Sequence, residues 1–433
     1  MSACRRSTNP SALVPALLAP LLVAPSAALD ADRSVLAPQP AASGAVIRVR
    51  PARVHPRQVV KLSAALEPPP PAGARFRWVA ATGAGTLFQD DLPEVEWRAP
   101  QAAGVVTVAV EVEGLGGPPI RAEVRIDVGL PSTEGMVWIP PGPYLRGDIG
   151  GTANTVEVKT IQNAADEPCH VVELDGFWID RHPVTHEEYA RYLDAAVAQG
   201  LARVEEVAVF GEHEGAWVPL YYFKPFEALI PRYYETRNAR RAQYLHWISH
   251  DGSRFRVKEG KERHPIVDVS WFGAAAFAAY HGKKLPTEAQ WEKAARGEDG
   301  RRFPWGSNLP TSYHGDLNGA YGELAPVGYF SPVGDSPYGV ADMLSTCVEW
   351  TNDWFNHDYY ADYAGERPLR NPRGPFWGRS HSIRGLPTSL QYPGSGTDEA
   401  VSFRYSWRFE FLIGDIFANR NTTFRTALEG DAR

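Results

Sequence analysis

The chain has 433 residues, enough for two or three domains of roughly 150 residues each. With 44% apolar and 22% charged residues it is too rich in core-formers for a disordered protein, and its three cysteines exclude a small disulfide-built scaffold. A net charge of −7 excludes nucleic-acid binding through a generic basic surface. Gly 39, Pro 37, Trp 13, Tyr 18 and Phe 18 together predict a turn-rich fold pinned by aromatic rings rather than a helical bundle.

In chain order, the first element is an address. Arg5 and Arg6 precede an apolar run from Leu13 to Ala24, and Ser26-Ala27-Ala28 supplies the small residues a signal peptidase needs. Pro15, Pro20 and Pro25, with the shortness of the run, argue against a membrane-spanning helix, and no other segment is apolar for long enough to be one. Residues 1–28 are therefore expected to be a signal peptide, 29–43 a linker, and the remainder an exported, periplasmic or secreted protein. Removing the leader takes away two positive charges and no negative one.

Residues 44–130 read as short strands and turns. Val46-Ile47-Arg48-Val49-Arg50, Val108-Ala109-Val110-Glu111-Val112 and Val124-Arg125-Ile126-Asp127-Val128 alternate apolar and polar, the pattern of half-buried strands. Phe76-Arg77-Trp78 and Val95-Glu96-Trp97 add two strands with aromatics at alternate positions. Pro68-Pro69-Pro70-Pro71 and Gly114 to Pro119 supply turns. The expectation is a small all-β sandwich. With its Trp97-Arg98-Ala99-Pro100 turn, the stretch resembles immunoglobulin-like or PKD-like modules of bacterial surface proteins, which implies a spacer or docking role.

From 135 to 428 the local signals change. Phe177-Trp178-Ile179-Asp180 predicts a buried strand. Thr185 with Glu188 is a capping box for a helix that places Tyr189, Tyr192 and Leu193 on one face. Ser270 opens a second helix that ends at Gly282. Thr287 with Gln290 caps a third, which buries Trp291 and Ala294 and stops at Gly297. Beyond it the chain is Gly, Pro and aromatic punctuation, predicted to be packed irregular structure.

These residues resemble the formylglycine-generating enzyme family, also called sulfatase-modifying factor domains. The match begins at Gly135-Met136-Val137-Trp138-Ile139-Pro140-Pro141-Gly142 and runs through Phe177 to Asp180, His264-Pro265 and Val269-Ser270-Trp271. It is densest at Gly282-Lys283-Lys284-Leu285-Pro286-Thr287-Glu288-Ala289-Gln290-Trp291-Glu292 and Phe303-Pro304-Trp305-Gly306. Gly339 to Met343, Val348-Glu349-Trp350, Arg384-Gly385 and Phe424-Arg425 complete the order. The resemblance implies an α+β, C-type-lectin-like fold with sparse secondary structure.

In that family two cysteines in C-x4-C spacing hold copper and oxidise a substrate cysteine, since soft thiolates suit Cu(I). Counted back from Phe424-Arg425, those positions fall here on Ser402 and Trp407, and no cysteine follows Cys347. An alcohol and an indole cannot replace the thiolates, so copper-dependent formylglycine generation is not expected. Cys169 and Cys347 remain open between a disulfide and two buried thiols. The resemblance further implies structural calcium at Asn318 and Glu349, the alternative for Glu349 being a carboxylate that satisfies buried donors.

Other reactive patterns are absent: the chain has no H-E-x-x-H, G-x-S-x-G or P-loop. It also lacks the H-x3-H-x-E that related sulfoxide synthases take from an added helical bundle. His182 and His186 read as structural. His357, Asp358, Asp353 and His381 are left as a candidate acid/base or metal cluster. Tyr392, Phe403, Arg404, Tyr405, Trp407 and Arg408 lie where the family binds substrate, and aromatics with arginines are the usual anchors of a binding groove. The expected function is an exported binding or assembly protein with a protein, peptide or glycan partner. The alternative is an oxidative tailoring enzyme resembling the family members that mature siderophores in the periplasm.

Overall fold

A computed structural model describes residues 45–50, 54–66, 69–147, 168–223, 247–308, 311–316, 321, 324–345, 347–363, 365, 367–385, 408–409, 415 and 422–430. Seven strands come first: β1 (Ala45–Arg50), β2 (Val59–Leu66), β3 (Arg75–Ala80), β4 (Thr86–Leu87), β5 (Glu94–Arg98), β6 (Gly104–Glu113) and β7 (Ile120–Val128). They form two antiparallel sheets, ordered β1-β2-β5-β4 and β3-β6-β7. The alternation read in the sequence decides which side chains turn inward. Along β7, Ala122, Val124, Ile126 and Val128 are buried and the charged residues between them are exposed. Inward residues of both sheets share one core with Trp78 and Trp97. The two buried indoles donate to the carbonyls of Leu92 at 2.8 Å and Ala84 at 2.9 Å.

The second part begins with β8 (Met136–Ile139), β9 (Gly142–Arg146), β10 (His170–Leu174) and β11 (Phe177–Asp180). Next comes helix α1 (His186–Ala198), then β12 (Ala202–Val204), β13 (Ala208–His213), β14 (Ala216–Tyr222), β15 (Ile248–His250) and β16 (Phe255–Val257). Helices α2 (Trp271–Tyr280) and α3 (Glu288–Arg296) precede β17 (Val348–Trp354) and the short α4 (Tyr359–Tyr363). The chain closes with β18 (Leu369–Arg370), β19 (His381–Gly385), β20 (Arg408–Phe409), β21 (Thr422–Thr423) and β22 (Ala427–Glu429). Short sheets and few helices dominate, as the punctuation of the sequence predicted.

The helices start where side-chain oxygens can cap them. Thr185 and Thr287 each make both bonds of a capping box, and Ser270 accepts from the Gly273 amide. Helix α2 ends at Gly282, whose φ of +69° is left-handed. The inner face of α1 (Tyr189, Tyr192, Leu193) packs with Tyr221, Phe277, Trp350 and Phe424 in one core. Trp291 and Ala294 of α3 pack with Tyr144, Phe177 and Ile179 in another.

The two parts touch. Lys61 of β2 pairs with Glu212 of β13 at 2.9 Å, and Gln58 donates to the Ala279 carbonyl at 3.4 Å. The His55 ring lies so close to Gly282 that a Cβ there would sit 2.3 Å from it.

Candidate functional site

Four strands in the order β20-β19-β17-β21 form the sheet on which the site is built. Strand β17 is antiparallel to β19, with Glu349 opposite Arg384 and Trp350 opposite Ile383. The register then shifts, so that Trp354 rather than Asn352 faces His381.

Beneath this sheet lies a fully buried charge network. Arg384 of β19 donates to Glu292 at 2.6 Å, Arg296 donates to the same carboxylate at 3.0 Å, and Arg146 of β9 donates to Glu288 at 3.1 Å. Ser382 donates to Glu288, whose own amide donates to Asp353 of β17 at 3.0 Å. Burial alone would raise the Glu292 pKa, but Arg384, Arg296 and Arg146 outweigh it and hold the carboxyl below its usual value. This network ties β9, α3, β17 and β19 together, and each of its arginines has a carboxylate partner, as burial requires.

A second buried pair sits beside it. Arg425 donates from Nε and Nη2 to the two oxygens of Glu349, both at 2.7 Å, and the Trp291 indole donates to Glu349 at 2.9 Å. The carboxylate to which the resemblance assigns calcium is thus matched to a guanidinium and an indole. Those residues do not fit a calcium ion unless Arg425 is displaced. Asn318 lies outside the described residues.

The group that stands apart from this scaffolding is His381. Its ring is stacked between two indoles, Trp271 at 3.6 Å and 9° and Trp354 at 3.8 Å and 26°. Asp415 accepts from the His381 amide at 2.6 Å and bonds Nδ1 at 2.8 Å, while its carbonyl accepts from the first amide of α2 at 3.1 Å. The Trp271 indole is itself fixed, donating to the Thr351 carbonyl at 2.9 Å. Burial lowers the His381 pKa; Asp415 opposes that, and nearby His213 adds to it, so the net direction is down. At neutral pH the imidazole is uncharged. With Asp415 accepting from Nδ1, Nε2 presents a lone pair. Such a group can accept a proton or a hydrogen bond from a donor that reaches Nε2.

Of the cluster left open in the sequence, His381 therefore pairs with Asp415, and His357 bonds its neighbour Asp358 at 2.9 Å. Asp353 belongs to the buried network. Among the described residues no group of three or more His, Cys, Asp or Glu side chains is placed to hold a metal ion. His186 is a core residue whose Nδ1 donates to the His264 carbonyl at 3.0 Å, and His182 bonds Asp342 at 3.3 Å. Cys347 is buried with Trp247, Val267 and Leu324, and Cys169 is half-buried ahead of β10. Tyr392, Ser402, Phe403, Arg404, Tyr405 and Trp407 lie outside the described residues. Arg408 opens β20, opposite Arg384. His381 stands at the other end of β19. No helix among the described residues is long and apolar enough to cross a membrane.

Compared with known proteins, residues 127–409 match the family described as "Sulfatase-modifying factor enzyme 1-like domain". The chain belongs to the sulfatase-modifying factor family. Within it, the chain is 33% identical over 269 residues to a formylglycine-generating enzyme of Streptomyces coelicolor, covering 59% of this chain and 78% of that one. It is 31% identical over 245 residues to the hercynine oxygenase of Mycolicibacterium smegmatis, covering 54% of this chain and 50% of that one. Among solved structures, PvdO from Pseudomonas aeruginosa is similar with a TM-score of 0.44 and 19% identity, covering 68% of this chain and 94% of that one.

Proposed function

We propose that this sulfatase-modifying factor protein is exported and uses its domain to bind a peptide, glycan or protein partner, without the copper chemistry of formylglycine generation. One observation carries this reading: no cysteine follows Cys347, while the family's thiolate positions, counted back from Phe424-Arg425, fall on Ser402 and Trp407. Hard hydroxyl and indole groups do not fit Cu(I), and no step is routed through it. The ligand face is the lectin-like groove of Tyr392, Phe403, Arg404, Tyr405, Trp407 and Arg408. The Arg5-Arg6 leader with its apolar run and Ser26-Ala27-Ala28 supports export. The β1-β2-β5-β4 and β3-β6-β7 order, that of a seven-strand immunoglobulin sandwich, supports reading residues 44–130 as an immunoglobulin-like spacer or docking module.

The His381–Asp415 pair favours a second reading, an oxidative tailoring enzyme of the siderophore-maturation type. A neutral, oriented imidazole between two aromatic faces is a general base in waiting. Elemental analysis of the purified protein separates the two. Calcium alone, or no metal, is the outcome expected for a binding protein, and a stoichiometric redox metal would replace it with the tailoring enzyme. A Cys-x-Pro-x-Arg peptide incubated with the protein, copper and oxygen is expected to stay unoxidised. Conversion of its cysteine would overturn the argument from Ser402 and Trp407.

A further inference from the structure

The loop between β18 and β19 displays two aromatic rings that nothing in the fold uses. Phe376 is 98% exposed and Trp377 is 76% exposed. Leaving such rings in water costs hydrophobic free energy, so their display needs an explanation.

The loop is held from both sides. The Asn371 amide donates to the Glu173 carbonyl at 2.9 Å, and the Phe355 amide donates to the Ser380 carbonyl at 2.9 Å. Between these anchors, Gly374 and Gly378 lie flat on β17 and the residue that follows it. A Cβ on Gly374 would be 2.6 Å from the Asp353 Cβ, and one on Gly378 would be 2.7 Å from the Phe355 carbonyl oxygen. Pro375 fixes φ between the two glycines. The five residues Gly374-Pro375-Phe376-Trp377-Gly378 are thus a pinned turn with both rings at its apex. A ring that is almost wholly exposed sits on a convex tip and lines no pocket.

Charge around the tip is positive. Arg367, Arg370, Arg373 and Arg379 are all exposed. Asp175 pairs with Arg370 at 3.0 Å and Glu429 with Arg373 at 3.6 Å. No ion pair engages Arg367 or Arg379 among the described residues. This basic, aromatic knob stands on a chain of net charge −7, so it is a local exception to the overall field.

We propose that Phe376 and Trp377 are an insertion tip that docks the protein on an anionic phospholipid surface. Aromatic side chains prefer the headgroup boundary of a bilayer, and flanking guanidiniums add attraction to anionic lipids. A fluid boundary also accepts a convex tip without a complementary pocket, which a protein partner would have to supply.

The test is flotation of the full chain with vesicles of equal phosphatidylglycerol and phosphatidylcholine, against pure phosphatidylcholine, at low and high salt. Variants carry the same N terminus as the wild type, so any contribution of residues 1–28 cancels in the comparison. The expected result is binding to the anionic vesicles that weakens with salt. The double substitution Phe376→Ser and Trp377→Ser should reduce it tenfold or more, and Arg373→Glu with Arg379→Glu by roughly fivefold or more per charge. The unfolding midpoint of each variant should match wild type, because all four side chains are exposed. Four outcomes overturn the proposal: no flotation, equal flotation with both vesicle types, loop variants that float like wild type, or self-association without lipid that the serine variants abolish. The last would assign the tip to a second copy of this chain.

Discussion

Arg425 shows how a single side chain can organise this protein. It is fully buried and donates five hydrogen bonds, two to Glu349 and one each to the carbonyls of Asp180, Arg181 and Ala341. The rigid fork of a guanidinium supplies this geometry and an ammonium does not. Arg425→Lys is therefore expected to lower the unfolding free energy by about 3–5 kcal/mol, read by denaturant titration. His186 makes a pH prediction at the same scale. Burial lowers its pKa to about 3, while the unfolded chain protonates it near the ordinary value of 6.5. The unfolded state thus takes up the proton first as the medium becomes acidic. The contribution of His186 to stability is fully present above pH 6.5 and is lost as pH falls from 6.5 towards 3, at about 1.4 kcal/mol per pH unit. His186→Asn retains a donor for the His264 carbonyl and should flatten that acid limb in a series of unfolding curves. An unchanged limb would assign the acid sensitivity to other groups.

Among the elements, helix α2 carries the most consequence for the site, because its first residue is the Trp271 that stacks on His381. Its close approach to β14 depends on Gly273. A Cβ at that position would lie 2.1 Å from the Leu220 carbonyl oxygen and 2.6 Å from the Tyr189 hydroxyl. Alanine is the better helix former by about 1 kcal/mol, so intrinsic propensity alone predicts that Gly273→Ala stabilises. Collision with backbone decides the sign. The substitution should lower the thermal midpoint and disturb the near-ultraviolet signal of the stacked indoles.

The caps of all three long helices were legible in the sequence, at Thr185, Ser270 and Thr287, because a cap is a local bond between residues three apart. Five of the seven described strands of the first part were legible for the same reason, through alternation, while β2 and β4 were not read. His381 with Asp415 was not. The two are 34 residues apart, and the stacked indoles come from two further segments, so no spacing announces the pair. Glu349 was picked out by its motif, but the guanidinium that occupies it stands 76 residues further on. The tip at Phe376 and Trp377 was missed because an exposed aromatic pair has no periodicity, and composition counts it with the core.

On the scale of the whole molecule, the described contacts between the two parts are mixed in character. Lys61 and Glu212 are each 42% exposed, and a surface ion pair of this kind contributes at most about 1 kcal/mol. Lys61→Ala should change stability by less than that, and the difference should vanish at high salt. Gly282 is a stronger constraint. It ends α2 in a left-handed conformation and lies against the His55 ring, where a Cβ would approach to 2.3 Å. Gly282→Ala is expected to destabilise by roughly 1–3 kcal/mol through backbone strain and overpacking together, and His55→Ala should recover only the packing share. A double-mutant cycle in chemical denaturation measures that share.

The register shift in β17 makes the candidate site a matter of length as well as identity. Between Trp350 and Trp354 this strand spends four steps where β19 spends two, from Ile383 to His381. Two is an even number, so the extra length leaves each side chain on its own face and changes only its neighbour. Were β17 to run through this stretch in regular register, Asn352 would stand opposite His381 and Trp354 would be carried past it. The aromatic wall around His381 therefore depends on the irregular run of β17 as much as on the residues that form it.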